Sequence, residues 1–150
     1  MEYTFDRLIK EKVLSKINEY QKYTFVSTIL AGFLAHGFMF FNKISYLDDN
    51  TYYFGVGESF ASGRWGLGII EVVNDVLGFG NYSMPFWNGL SSLFFIAMAA
   101  MLIVGMFRIE HKAYAVLIGA YMAVFPVVTS TFAYMFTAPY YFAASLCMVI

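Results

Sequence analysis

Long apolar runs without a single charge alternate with short polar stretches along this chain. Tyr23 to Phe41 contains no Asp, Glu, Lys or Arg. As a helix rising ~1.5 Å per residue, such a run crosses roughly 30 Å of hydrocarbon. Gly89 to Phe107 is a second charge-free run, and Ala113 to about Val128 a third, with Pro126 near its end. A polar-aromatic link, Thr129 to Thr137, leads to a fourth apolar segment from Ala138 to Ile150. The pattern predicts an all-α, polytopic transmembrane protein with four membrane segments, forming one transmembrane domain over residues 1–150.

Two amphipathic stretches accompany these runs. In residues 1–22, Phe5, Leu8, Ile9, Val13, Ile17 and Tyr20 recur at helical spacing, while Arg7, Lys10, Lys12, Lys16 and Lys22 take other positions. This predicts a helix lying on the membrane surface, the alternative being a solvated helix that touches no lipid. The stretch is not a signal peptide, because its basic part is too long and no small-residue cleavage site follows the apolar run. In the polar interval 42–87, Ile69, Ile70, Val72, Val73, Val76 and Leu77 form one helical stripe, with Glu71, Asn74 and Asp75 opposite. A short interfacial helix over 66–77 is expected there. Residues 78–83 read as a turn, and Pro85 precedes the next helix.

Composition agrees with this pattern. Of 150 residues 60% are hydrophobic and 13% charged, and the mean hydropathy is +0.63. Soluble domains carry about a quarter charged residues, and a chain this short could not hide so much apolar surface in one core. The aromatic fraction of 21% includes many Tyr and Trp residues near the expected membrane boundaries, as interfacial belts require. A net charge of -1 gives no basis for nucleic-acid binding. Cys147 is the only cysteine, which excludes an internal disulfide and a cysteine metal cluster.

Lys and Arg counts in the short connections set the expected orientation. Five basic residues precede the first run, and Arg108 and Lys112 lie between the second and third. Both regions are expected to face the cytoplasm of a cell membrane, with loop 42–87 on the outer face. The last segment has 13 residues before the terminus, against ~20 for a span. The chain is therefore expected to be the N-terminal part of a longer protein, the alternative being a re-entrant end covered by protein.

Candidate chemistry gathers in the 42–87 loop. Asp48 and Asp49 stand together just past the first run. Adjacent carboxylates at a membrane boundary repel each other and are partly desolvated, and both effects favour a base that works near neutral pH. A plain helix-end cap is the alternative. Ser62-Gly63-Arg64-Trp65-Gly66 follows. Arg64 carries a fork of donors suited to phosphate, Trp65 a flat face for a sugar, and the glycines permit close backbone approach. The alternative is an interfacial turn with a snorkelling arginine. His36, inside the first run, is either a functional group or a hydrogen-bonding bridge between helices. His111 lies in the other connection, so the two histidines are not expected to share a metal. Asn81-Tyr82-Ser83 matches a glycosylation acceptor but is equally a turn.

Taken together, His36-Gly37, Tyr46-Leu47-Asp48-Asp49-Asn50 and Ser62-Gly63-Arg64-Trp65-Gly66 resemble the opening of the glucosyltransferase II-like membrane proteins. These are bacterial and phage enzymes related to the O-antigen serotype-converting glucosyltransferases, within the C-type glycosyltransferase fold. Phe125-Pro126 and Phe132-Ala133-Tyr134 are similar as well. The resemblance implies transfer of glucose, or a similar hexose, from a polyprenyl-phosphate donor to a cell-envelope glycan or lipid on the outer face. It implies that Asp48 and Asp49 are catalytic, one taking the acceptor's proton with its neighbour's help. Arg64, Trp65, Ser62 and Gly63 would bind substrate, with Arg64 offsetting charge on the leaving phosphate. The acidic pair could hold a divalent metal, but nothing supplies the fuller oxygen cage, so no cofactor is expected. Family members are several times longer, so activity of the isolated chain is not expected. The competing reading is a non-enzymatic small membrane protein, such as a transporter or assembly subunit. Its support is the short chain and His36 in the first run, and the lack of an internal repeat counts against a transporter.

Overall fold

The computed structural model describes residues 17–42, 58–61, 63–65, 68–69, 72, 76 and 84–150. Among them the chain is helical, without strands: α1 (Glu19–Phe41), α2 (Glu58–Ala61), α3 (Pro85–Met106), α4 (Lys112–Val124), α5 (Pro126–Phe132) and α6 (Ala138–Val149). The expected surface helix lies outside the described residues as far as residue 16. Its last part does not continue it: Asn18 caps α1, so Glu19 to Lys22 belong to the first span. The Gln21 amide N–H donates to the Asn18 side chain at 2.8 Å, and the Asn18 N–H donates to the Gln21 side chain at 2.9 Å. This reciprocal cap satisfies two of the orphan donors at a helix start.

α1 and α3 are each long and apolar enough to cross a bilayer. The third expected span is present as a broken pair. α4 stops at Val124, Phe125 is extended (φ −59°, ψ 139°), and α5 departs at 43°. Proline lacks an N–H and pushes its predecessor out of the helical region, yet suits the first position of a new helix. The break therefore falls at Phe125 rather than beyond Val128, and residues 129–132 continue as helix instead of forming a link. α6 has 12 residues, short of a span. The described residues thus hold two membrane-crossing helices, or three with the bent pair counted as one, where four segments were expected.

Burial on α1 is inverted relative to a water-soluble helix. Thr24, Thr28, Gly32, His36 and Phe40 recur every fourth residue and are buried. On the other sides, Val26, Leu30, Leu34 and Phe38 are more than half exposed, Leu34 by 87%. Small and polar residues face protein while large apolar ones face out, which is the arrangement a lipid solvent favours. The buried ridge packs on both α3 and α4, and α3 packs in turn on α6. Gln21 Nε2 donates to the Met101 carbonyl at 3.2 Å, and Leu93 fills the space beside Gly32. α1 and α3 are therefore antiparallel. Thr24 Oγ1 lies 3.1 Å from the Ala115 carbonyl, and His36 Nε2 lies 2.9 Å from that of Ala123, so α1 and α4 run parallel.

Most helix hydroxyls are satisfied locally. Thr28, Ser91, Thr131 and Ser145 each donate to a carbonyl one turn back. Such bonds let polar side chains sit where no water is available. Ser92 Oγ is the exception among the described residues: it is buried with no partner. The connection from α3 to α4 is a tight stop. Arg108 takes φ 50°, its N–H donates to the Gly105 carbonyl, and the Ile109 N–H donates to that of Val104. These are the paired bonds of a Schellman cap, with arginine in the left-handed place glycine usually fills.

Candidate functional site

The segment holding the candidate residues leaves α1 at Asn42 and re-enters the bundle at Met84. Packing joins these two points. Phe40 lies over Gly89, on α3, with its ring where a side chain on Gly89 would stand. Phe41 meets Phe86 with ring centroids 5.5 Å apart. Asn42 closes α1 by donating from Nδ2 to the Phe38 carbonyl at 2.8 Å. Met84 to Trp87 and the two phenylalanines line an open apolar recess of about 390 Å³ at this end of the bundle. Sequence reasoning missed this junction, although Pro85-Phe86-Trp87 marked it as an aromatic helix start.

Within the segment, the structure describes part of the Ser62-to-Gly66 run. α2 ends where the Gly63 N–H donates to the Phe60 carbonyl at 3.0 Å. Gly63 takes φ 76°, in the left-handed region that favours glycine, so its identity is explained by the turn. Arg64 is exposed, and its carbonyl accepts from the Gly68 N–H at 3.1 Å, opening a new helical turn at Trp65. Trp65 is 70% exposed. The Phe60 ring packs against Gly68, folding α2 back on the turn that follows. Arg64 and Trp65 thus stand next to each other on the outside of a compact turn, a cation and a flat ring both open to a ligand.

Ile69, Val72 and Val76 are helical in backbone and 52%, 40% and 81% exposed. The other residues of the interfacial helix expected over 66–77, apart from Gly68, lie outside the described residues. Asp48, Asp49 and Ser62 lie outside the described residues, as do Gly66, the 78–83 turn and the Asn81-Tyr82-Ser83 motif. Asp48 follows Asn42 by six residues in sequence. Among the described residues no three His, Cys, Asp or Glu side chains gather.

His36 and His111 are well apart in role. His36 is buried against Phe132 and bonded to the α4 carbonyl. His111 is exposed at the start of α4, its ring 4.6 Å from that of Tyr114. Nearby, Lys112 Nζ sits 4.5 Å above the Tyr23 ring, a cation–π contact that ties α4 to α1.

Comparison with known proteins bears directly on this segment. No curated protein and no solved structure matches the chain. A family model does match, described as glucosyl transferase GtrII, over residues 37–150. The match starts at the end of α1 that carries Phe40 and runs through the acidic segment and every later helix. It covers well over half of the chain, and the all-helical, membrane-crossing architecture accords with the resemblance carried by Asp48-Asp49 and Ser62-Gly63-Arg64-Trp65. The chain belongs to the GtrII glucosyl transferase family.

Proposed function

We propose that this protein transfers glucose, or a similar hexose, from a polyprenyl-phosphate donor to a cell-envelope glycan or lipid. The family match over residues 37–150 is the observation that carries this reading. The reaction is assigned to the segment between α1 and α3, on the outer face of the cell membrane. A lipid-linked donor holds its phosphate at the membrane boundary, where exposed Arg64 beside exposed Trp65 offers a charged fork and a flat apolar ring.

In this reading one carboxylate of the Asp48–Asp49 pair takes the proton from the acceptor hydroxyl. The acceptor oxygen bonds to the anomeric carbon, and the bond from that carbon to the donor phosphate oxygen breaks. Charge grows on the departing phosphate, and Arg64 offsets it. Gly63 forms the turn that presents Arg64, and Ser62 and Gly63 are assigned to substrate binding beside it. The exposed Ile69, Val72 and Val76 stripe rests on the membrane near the donor. No metal is assigned to the reaction.

The non-enzymatic alternative drew on His36 as an intramembrane ionisable group. That side chain is engaged with Ala123 and Phe132 inside the bundle, which favours the bridging role and weakens one of the alternative's two supports. The test is transfer of labelled glucose from polyprenyl-phosphate glucose in membranes containing the full-length protein. Transfer that depends on this protein supports the reading. Absence of transfer with any lipid-linked hexose would refute it.

A further inference from the structure

His36 occupies the fourth place on the buried α1 ridge and is 2% exposed. Its Nε2 lies 2.9 Å from the Ala123 carbonyl. A carbonyl can only accept, so Nε2 carries the hydrogen. Ala123 sits in the last turn of α4, where the extended Phe125 withdraws the donors that a continuing helix would supply. In hydrocarbon, an unsatisfied carbonyl is costly, and His36 supplies what the break removed.

The same ring also meets the far side of the break. It lies 4.5 Å from the Phe132 ring, at the last residue of α5. One side chain therefore touches both halves of the broken span. Phe132 is in turn 5.7 Å from Phe40 and 5.4 Å from Phe142, ring centre to ring centre. Phe40 is the residue over Gly89 that joins the two ends of the candidate segment. A continuous packed path thus runs from the break at Phe125, through His36 and Phe132, to the junction at Asn42 and Met84.

We infer that His36 is a positioning residue for the proposed transfer: it fixes α5 against the end of α1 from which the Asp48–Asp49 segment departs. The inference rests on the assignment of that segment as the reaction site. It gives the bend a purpose, since a span bent by 43° would otherwise leave α5 anchored only by its own apolar contacts. His36 acts through Phe132 and Phe40 and need not touch substrate.

Two variants separate its contributions. His36→Phe keeps a ring for Phe132 and loses the hydrogen for Ala123. His36→Gln keeps an N–H at similar reach and loses the ring. Transfer is measured per folded protein, in membranes with the full-length chain. His36→Phe should lower kcat by about 10- to 100-fold with little change in KM, as expected of misplacement on the ångström scale. His36→Gln should restore most of the rate. A purely structural role would reduce the folded amount and leave the rate per folded molecule unchanged, which would overturn the inference.

A second readout needs no activity. A cysteine at exposed Thr129 on α5, with Cys147→Ser, reports the accessibility of that half-helix to a thiol reagent. Labelling should quicken several-fold with His36→Phe and stay near the native rate with His36→Gln. Equal labelling in all three proteins would overturn the placement of α5 by His36. If the native protein transfers no sugar, the functional reading fails, while the labelling ratio still decides what His36 holds.

Discussion

Phe40 lies over Gly89, with its ring in the space that a side chain on the glycine would need. This contact closes the base of the segment between α1 and α3, because α1 ends at Phe41 and α3 begins at Pro85. Replacing Gly89 with alanine should cost about 1–3 kcal/mol through overpacking. Thermal unfolding in detergent would measure it. A compensating Phe40→Leu change should recover part of the loss, because the obstruction is one edge of a rigid ring, its Cγ, Cδ1 and Cε1 atoms, which a smaller and more flexible side chain can move aside. Equal loss in the single and double variants would show that the two residues do not press on each other.

Gly119 occupies a tighter place. A Cβ built there would stand 2.5 Å from the Thr24 carbonyl oxygen. Backbone cannot swing aside as a side chain can, so Gly119→Ala should separate α1 from α4 and break the approach of Thr24 to Ala115. A loss of about 2 kcal/mol is expected, within the range for overpacked cores. A lowered unfolding midpoint would support the contact, and an unchanged one would contradict it.

Ser92 should behave in the opposite way. Its hydroxyl is buried without a partner, so removing it relieves a desolvated polar group instead of breaking a bond. Ser92→Ala should be neutral or stabilising by about 1 kcal/mol. A marked destabilisation would mean that the hydroxyl has a partner in the membrane.

The proposed orientation makes a separate prediction. A cysteine placed at Ser59 should react with an impermeant thiol reagent added outside intact cells, and one at Glu110 should not, in a Cys147→Ser background. The reverse pattern would overturn the outer-face assignment.

Much of this fold is legible along the chain because lipid imposes a simple rule. Charge-free runs long enough to cross must be helices, and α1 and α3 appear close to where those runs lie. The ends were harder. Asn18 and Gln21 form a capping pair inside a stretch whose amphipathic spacing continues across it, so apolar periodicity alone hides the start of α1. Pro126 was visible, but its effect falls one residue earlier, on Phe125, and the helix restarts where a link was expected.

Which face of α1 is buried was not legible as an apolar stripe, since the large apolar side chains lie on the outward faces. The signal is the four-residue spacing of Thr24, Thr28, Gly32 and His36, whose small or polar side chains mark the protein side. At the candidate site, sequence spacing singled out Gly63, Arg64 and Trp65, and the turn explains the glycine while exposing the other two. The tie between His36 and Ala123 joins residues far apart in sequence. No local pattern contains it.

In the proposed reading, the segment between α1 and α3 carries the transfer chemistry through its acidic pair. The most direct measurement is the rate of hexose transfer from polyprenyl-phosphate glucose in membranes holding the full-length protein, native against Asp48→Asn with Asp49→Asn. Loss of a general base predicts a fall of about 10²- to 10⁴-fold at an unchanged amount of folded protein. Undiminished transfer by the doubly substituted protein would contradict the account.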